Sequence, residues 1–80
     1  MATLRLFARA RELAGTSSDV VPGSTVDEVI AAAIARYGGG FAEIVPTCRV
    51  WVNGDAVPGD TPVSDNDEVA VLPPVSGGCQ

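Results

Sequence analysis

The 80-residue sequence contains no histidine and no lysine. Without histidine it lacks the commonest general base near neutral pH and the commonest metal ligand. Without lysine it has no side-chain amine to serve as a Schiff base or an isopeptide acceptor. Every basic residue is an arginine: Arg5, Arg9, Arg11, Arg36 and Arg49. Cysteine is scarce, with only Cys48 and Cys79. Two thiols without histidine do not make a zinc site. Cys48 lies in a strand-like run and reads as a small buried hydrophobe. A disulfide to Cys79 is disfavoured in a chain of cytosolic character. No apolar run approaches the ~20 residues of a membrane span. The stretch after Met1 is no secretory signal, because its apolar run is short and broken by Arg9 and Arg11. A cytoplasmic location is the expectation.

Basic charge is also in deficit. Ten acidic residues against five arginines leave a net charge of −5. Nucleic acid and anionic membrane both demand a basic stripe, so neither is expected as a partner. The balance favours a partner with a basic docking surface, or simply keeps a small protein soluble. What the chain does have is apolar content, 46% of its residues. That is enough for one small core without metal or disulfide support.

The pattern along the chain predicts one α+β domain. Thr3 to Ala8 alternates as a strand, with Leu4 and Leu6 on one face and Arg5 and Phe7 on the other. Arg9 to Gly15 is a helical or looped connector, and Ser18 to Val21 a short second strand ended by Pro22-Gly23. Thr25 and Glu28 form a capping box for a helix whose apolar face is Val26, Val29, Ile30, Ala33, Ile34 and Tyr37. Gly38-Gly39-Gly40 ends it. Phe41 to Pro46 is then a connector, and Thr47 to Val52 a third strand with Cys48, Val50 and Val52 inward. Asn53-Gly54 is a strong hairpin turn. Ala56-Val57 is a brief fourth strand. Thr61 and Pro62 suggest one helical turn inside a polar loop. Glu68 to Leu72 is the last strand. The sum is a mixed sheet of four to five strands packed on one main helix, with the domain at 1–72 and a tail at 73–80. Phe7 and Trp51 point to the sheet face that the helix leaves open, which suggests protein docking unless a loop covers them.

The tail carries the most specific chemistry. Pro73 and Pro74 stop strand pairing, and Gly77-Gly78 follow with nothing bulky. A side-chain-free tail can thread into a partner's active site. The segment Phe7-Ala8-Arg9-Ala10-Arg11-Glu12-Leu13-Ala14-Gly15, together with Thr25-Val26, Val52-Asn53-Gly54, Asp67-Glu68-Val69 and Pro73-Pro74-Val75-Ser76-Gly77-Gly78, resembles the small subunits of molybdopterin synthase. The Arg-Glu-x-x-Gly stretch sets it apart from the shorter thiamine-pathway carriers. The resemblance implies a ubiquitin-like, β-grasp sulfur carrier that is not catalytic alone. An E1-like activating enzyme would use ATP to adenylate the Gly78 carboxylate. Sulfur would then give a thiocarboxylate, and a large synthase subunit would receive it to build molybdopterin from cyclic pyranopterin monophosphate. Gly78 would hold the sulfur and Gly77 would leave room to thread it. Leu72, Pro73, Pro74, Val75 and Ser76, with Phe7 and Trp51, would bind the partner. No tightly bound cofactor is implied.

The sequence departs from this family at its last residues. The Gly78 carboxylate is tied in a peptide bond to Cys79, and an amide cannot be adenylated in that way. Here the chain resembles ubiquitin-like sulfur carriers that end in Gly-Gly plus a short tail trimmed by a zinc metalloprotease, which implies a precursor from which Cys79 and Gln80 are removed. Loss of the carrier role and a persulfide carried on Cys79 are the alternatives. A ubiquitin-like modifier, a plain interaction domain and a sulfur carrier of another pathway are the contrasting functional classes.

Overall fold

The computed structural model describes residues 1–74. Among these residues, five strands build one mixed sheet, with three helices and a 3-10 turn. The strands are β1 (Ala2–Leu6), β2 (Ser18–Val21), β3 (Arg49–Val52), β4 (Asp55–Ala56) and β5 (Glu68–Leu72). The helices are α1 (Ala8–Ala14), α2 (Val26–Tyr37) and α3 (Gly39–Ile44), and a single 3-10 turn covers Val45–Thr47. The sheet order is β2-β1-β5-β3-β4, with β1 and β5 parallel and the other pairs antiparallel.

Period-two alternation decides which face is core. Ala2, Leu4 and Leu6 of β1, Val69 and Val71 of β5, and Val52 of β3 are all buried. They meet Val26, Val29, Ile30 and Ala33, the inner stripe of α2. The α2 terminus is capped by Thr25, whose Oγ1 accepts from the Glu28 N–H at 3.2 Å. Glu28 reaches back one residue further than the capping-box pattern predicts, and its Oε1 accepts from the Ser24 N–H at 2.8 Å. The reason is visible in the loop alongside. Thr25 forms a β-bridge with Pro62, and Val63 donates to the Ser24 carbonyl at 2.9 Å.

That bridge corrects the expected helical turn at Thr61-Pro62. The segment runs extended there because the Val26 N–H donates to the Thr61 carbonyl at 3.1 Å, and Val63 is buried. A second correction concerns the glycine run. Gly38 ends α2 with φ +96°, but Gly39 and Gly40 open α3 instead of a connector. Phe41 is the reason: it is fully buried and meets the Tyr37 ring edge-on, with centroids 5.3 Å apart. Glycine at 40 also lets α3 close on α1, since a Cβ there would sit 3.2 Å from Leu13. Smaller shifts are that β1 stops at Leu6, β3 starts at Arg49 and β4 covers Asp55–Ala56.

Candidate functional site

β5 lies at the centre of the sheet, between β1 and β3, so the segment that follows it leaves from the middle of the molecule. Val71 pairs with Leu6 and Leu72 with Arg49. The exit is therefore flanked by Phe7 on one side and the start of β3 on the other. Leu72 and Pro73 are half-buried and Pro74 is exposed. Val75, Ser76, Gly77, Gly78, Cys79 and Gln80 lie outside the described residues.

The open sheet face leads up to this exit. One row across it reads Arg5, Ala70, Trp51, Ala56. Trp51 is flanked by two alanines, and it is half-buried on the face that α2 does not cover. Its indole Nε1 is buried without an acceptor among the described residues. Phe7 keeps 41% of its surface exposed. Its orientation follows from the backbone: Ala8 takes φ +51°, an uncommon value for a residue with a Cβ, and turns the chain sharply from β1 into α1. The Phe7 carbonyl then accepts from the Ala10 N–H at 3.1 Å. The Arg5 guanidinium lies 5.9 Å from the centre of the Phe7 ring and 3.3 Å from Glu68.

The alternation in β3 puts Trp51 on the open face, whereas Phe7, expected inside the first strand, lies just past the end of β1 as the residue before α1. Arg5 and Arg49 share the open face and were missed as site residues, although the same period-two alternation locates them. No pocket opens among the described residues, and no three potential metal ligands gather there. Nor is any helix among them long and apolar enough to cross a membrane. Cys48, near the exit, donates its thiol to the Ile44 carbonyl at 3.2 Å, and burial pushes its pKa up. A thiol so placed is a poor nucleophile at neutral pH.

The opposite end of the sheet is closed by polar side chains. Asn53 and Gly54 take φ +52° and +88° in the β3–β4 turn, as a type I′ turn requires. Asn53 does more than turn the chain. Its Nδ2 donates to Asp67 at 2.9 Å and its Oδ1 accepts from the Glu68 N–H at 2.9 Å. Asp67 also accepts from the Ser64 N–H at 2.8 Å. These donors, Asn53 first, hold the Asp67 carboxyl below its ordinary value.

Comparison with known proteins finds one family and relatives of the same fold. The model of the ThiS family matches residues 4–78, a match that stops at Gly78. The molybdopterin synthase sulfur carrier subunit of Chlamydomonas reinhardtii is 34% identical over 90% of this chain and 92% of its own length. The solution structure of small archaeal modifier protein 1 from Methanosarcina acetivorans superposes with a TM-score of 0.87 at 26% identity, covering 96% of this chain and 95% of that one. The Amycolatopsis orientalis BexX/CysO complex contains a chain that superposes at 0.82 and 28% identity, covering 98% of this chain and all of that one.

Proposed function

The chain belongs to the ThiS family of sulfur carriers, and from that premise we propose that Gly78 is its acyl-transfer terminus and molybdopterin its product pathway. The observation that carries this reading is the family match, which spans the β-grasp fold and runs through Gly77-Gly78 but not beyond. The name of the Chlamydomonas reinhardtii relative supports the choice of pathway. Chemistry fixes the order of events. A carboxylate is a poor electrophile, so ATP converts Gly78 to an acyl adenylate and releases pyrophosphate. A sulfur donor then displaces AMP and leaves a thiocarboxylate. The tail presents that sulfur to the pterin inside a large synthase subunit, at high effective concentration. All catalytic groups come from the partners, which suits a chain without histidine or lysine.

Cys79 and whatever follows it must first be removed to free the Gly78 carboxylate. A metalloprotease is the trimming enzyme in this scheme. Phe7, Trp51, Leu72, Pro73 and Pro74, with Arg5 and Arg49, form the docking face for the activating enzyme and the large subunit. The exposed Phe7 and the open face beside the exit support that assignment.

The test uses two chains, one ending at Gly78 and one at Gln80, each given an E1-like activating enzyme, ATP and a sulfur donor. Intact mass should show oxygen replaced by sulfur in the shorter chain only. Sulfur uptake by the chain ending at Gln80, or none by the chain ending at Gly78, overturns the proposal. The likeness to an archaeal modifier protein favours a second reading, in which Gly78 is joined to other proteins. Adducts of the trimmed chain on target lysines would select it.

A further inference from the structure

Every outward-facing backbone group of the edge strand β2 is already taken by a side chain. β2 pairs on one side only, with β1, in the register Leu4 to Asp19 and Thr3 to Val20. The Leu6 N–H donates to the Ser17 carbonyl at 2.9 Å, and antiparallel alternation then turns Asp19 and Val21 toward β1. Ser18 and Val20 are left facing away from the sheet. An unpaired edge of this kind is a template for another strand.

Three side chains occupy that template. Thr16 Oγ1 donates to the Ser18 carbonyl at 2.9 Å and accepts from the Ser18 N–H at 3.3 Å. Asp19 Oδ1 accepts from the Val20 N–H at 2.8 Å. Arg36, from the last turn of α2, donates to the Val20 carbonyl at 3.1 Å and to Asp19 Oδ2 at 2.7 Å. Tyr37 donates to the same Asp19 oxygen at 2.6 Å and so steadies the carboxylate. The other sheet edge needs no such device, because β4 is two residues long and Pro58 follows closely.

We propose that Thr16, Asp19 and Arg36 form a seal that keeps a second copy of this chain from pairing its own β2 strand along this edge. The occupant excluded is another copy because two such edges are self-complementary about a twofold axis. The Val20 side chain, 52% exposed, would lie in the contact. Ser18 and Val20 also have no bulk or lysine to repel a neighbour. The seal serves any protein that must present its sheet to partners as a single copy, and it does not depend on the sulfur-carrier reading.

The seal makes two demands. In the unaltered chain, the Ser18 and Val20 amides should exchange with solvent at least ~10-fold more slowly than unbonded edge amides. In the double variant Thr16→Val with Asp19→Ala, both amides should exchange faster, and sedimentation should show a concentration-dependent dimer. Adding Val20→Pro to that variant should restore the monomer, because proline removes the N–H that a pairing strand needs. Arg36→Met is the second route, freeing only the Val20 carbonyl and giving a weaker dimer. Unprotected Ser18 and Val20 amides in the unaltered chain would overturn the proposal. So would a folded double variant that stays monomeric at every concentration, or a dimer that survives Val20→Pro.

Discussion

Where β1 and β5 begin, side chains are tied to backbone on every side, whereas where β5 delivers Leu72 the surface is left apolar and loosely bonded. At the first end Asn53, Ser64 and Asp67 interlock, and the Val26 N–H to Thr61 and Val63 N–H to Ser24 bonds stitch the start of α2 to the loop before β5. Toward the second end, Arg49 and Leu72 share one row of the open face and Arg5 and Trp51 the row before it, and Arg5 makes one long ion pair back to Glu68 and one cation–π contact with Phe7. The difference puts the fixed contacts at one end and leaves the other end free for the docking proposed above. Partner docking rewards apolar and arginine side chains that are not already committed, and a small domain must find its fixed contacts elsewhere.

The largest effect should come from the closed end. Gly23 has φ +152°, and a Cβ there would stand 2.6 Å from the Val29 backbone nitrogen. Neither a rotamer change nor a flexible neighbour relieves that contact. Gly23→Ala should cost roughly 2–4 kcal/mol, from strain and overpacking together. In a domain with a margin of about 5 kcal/mol, thermal melting should shift far down or vanish. A melting point within a few degrees of the parent would break the comparison. Asn53→Ala comes next. It removes two side-chain hydrogen bonds and the residue that tolerates φ +52°, and should cost about 1–3 kcal/mol.

At the exit end the expected pattern reverses. Phe7→Ala should change stability by no more than about 0.5 kcal/mol, since the ring touches little of the core. Affinity for the large subunit or the activating enzyme should nevertheless fall at least ~10-fold, as for an aromatic anchor at an interface. Titration calorimetry beside thermal melting separates the two. Equal affinity with lost stability would assign Phe7 to the fold and leave the docking face without its anchor.

The same contrast explains what could be read from sequence. Local chemistry was legible. Asn53-Gly54 announces a turn because both residues tolerate positive φ, and the β3 alternation puts Trp51 on the open face without a structure, whereas Phe7 falls past the end of β1. The tail motif is legible because its residues are consecutive in the chain, and the family match runs through it. Long-range hydrogen bonds were not. Thr61-Pro62 reads as a helix start from its own residues, but its carbonyl is held by Val26, far away in sequence. The glycine run reads as a break, but burial of Phe41 pulls it into α3. The β2 seal was equally hidden, since Arg36 reaches it from another element.

The smallest effect, and the finest test of the comparison, is the dependence of stability on pH. Asp67 is held below 3.8 mainly by its hydrogen bond from Asn53, and Asp19 below 3.8 mainly by that from Tyr37. A carboxyl whose pKa is lowered on folding stabilises the native state above its unfolded pKa. That stabilisation is lost as pH falls through the folded value. Stability should therefore decline below about pH 4, to which the carboxyl values of the unfolded chain belong. Asn53→Ala should flatten the part due to Asp67, and Tyr37→Phe the part due to Asp19. At the alkaline end Tyr37 has the opposite sign. Burial, then the Asp19 hydrogen bond, push its phenol from 10.0 to about 12, so its contribution is full below pH 10 and is lost as pH rises through about 12. Phenolate absorbance follows that titration directly. Phe7→Ala, at the exit end, should leave the acid and alkaline limbs unchanged, because the side-chain hydrogen bonds of Asp19, Asp67 and Tyr37 go to Val20, Arg36, Asn53, Ser64 and one another. A flattened acid limb in Phe7→Ala, or an unaltered one in Asn53→Ala, would show that the two ends share their electrostatics and are not divided as the geometry indicates.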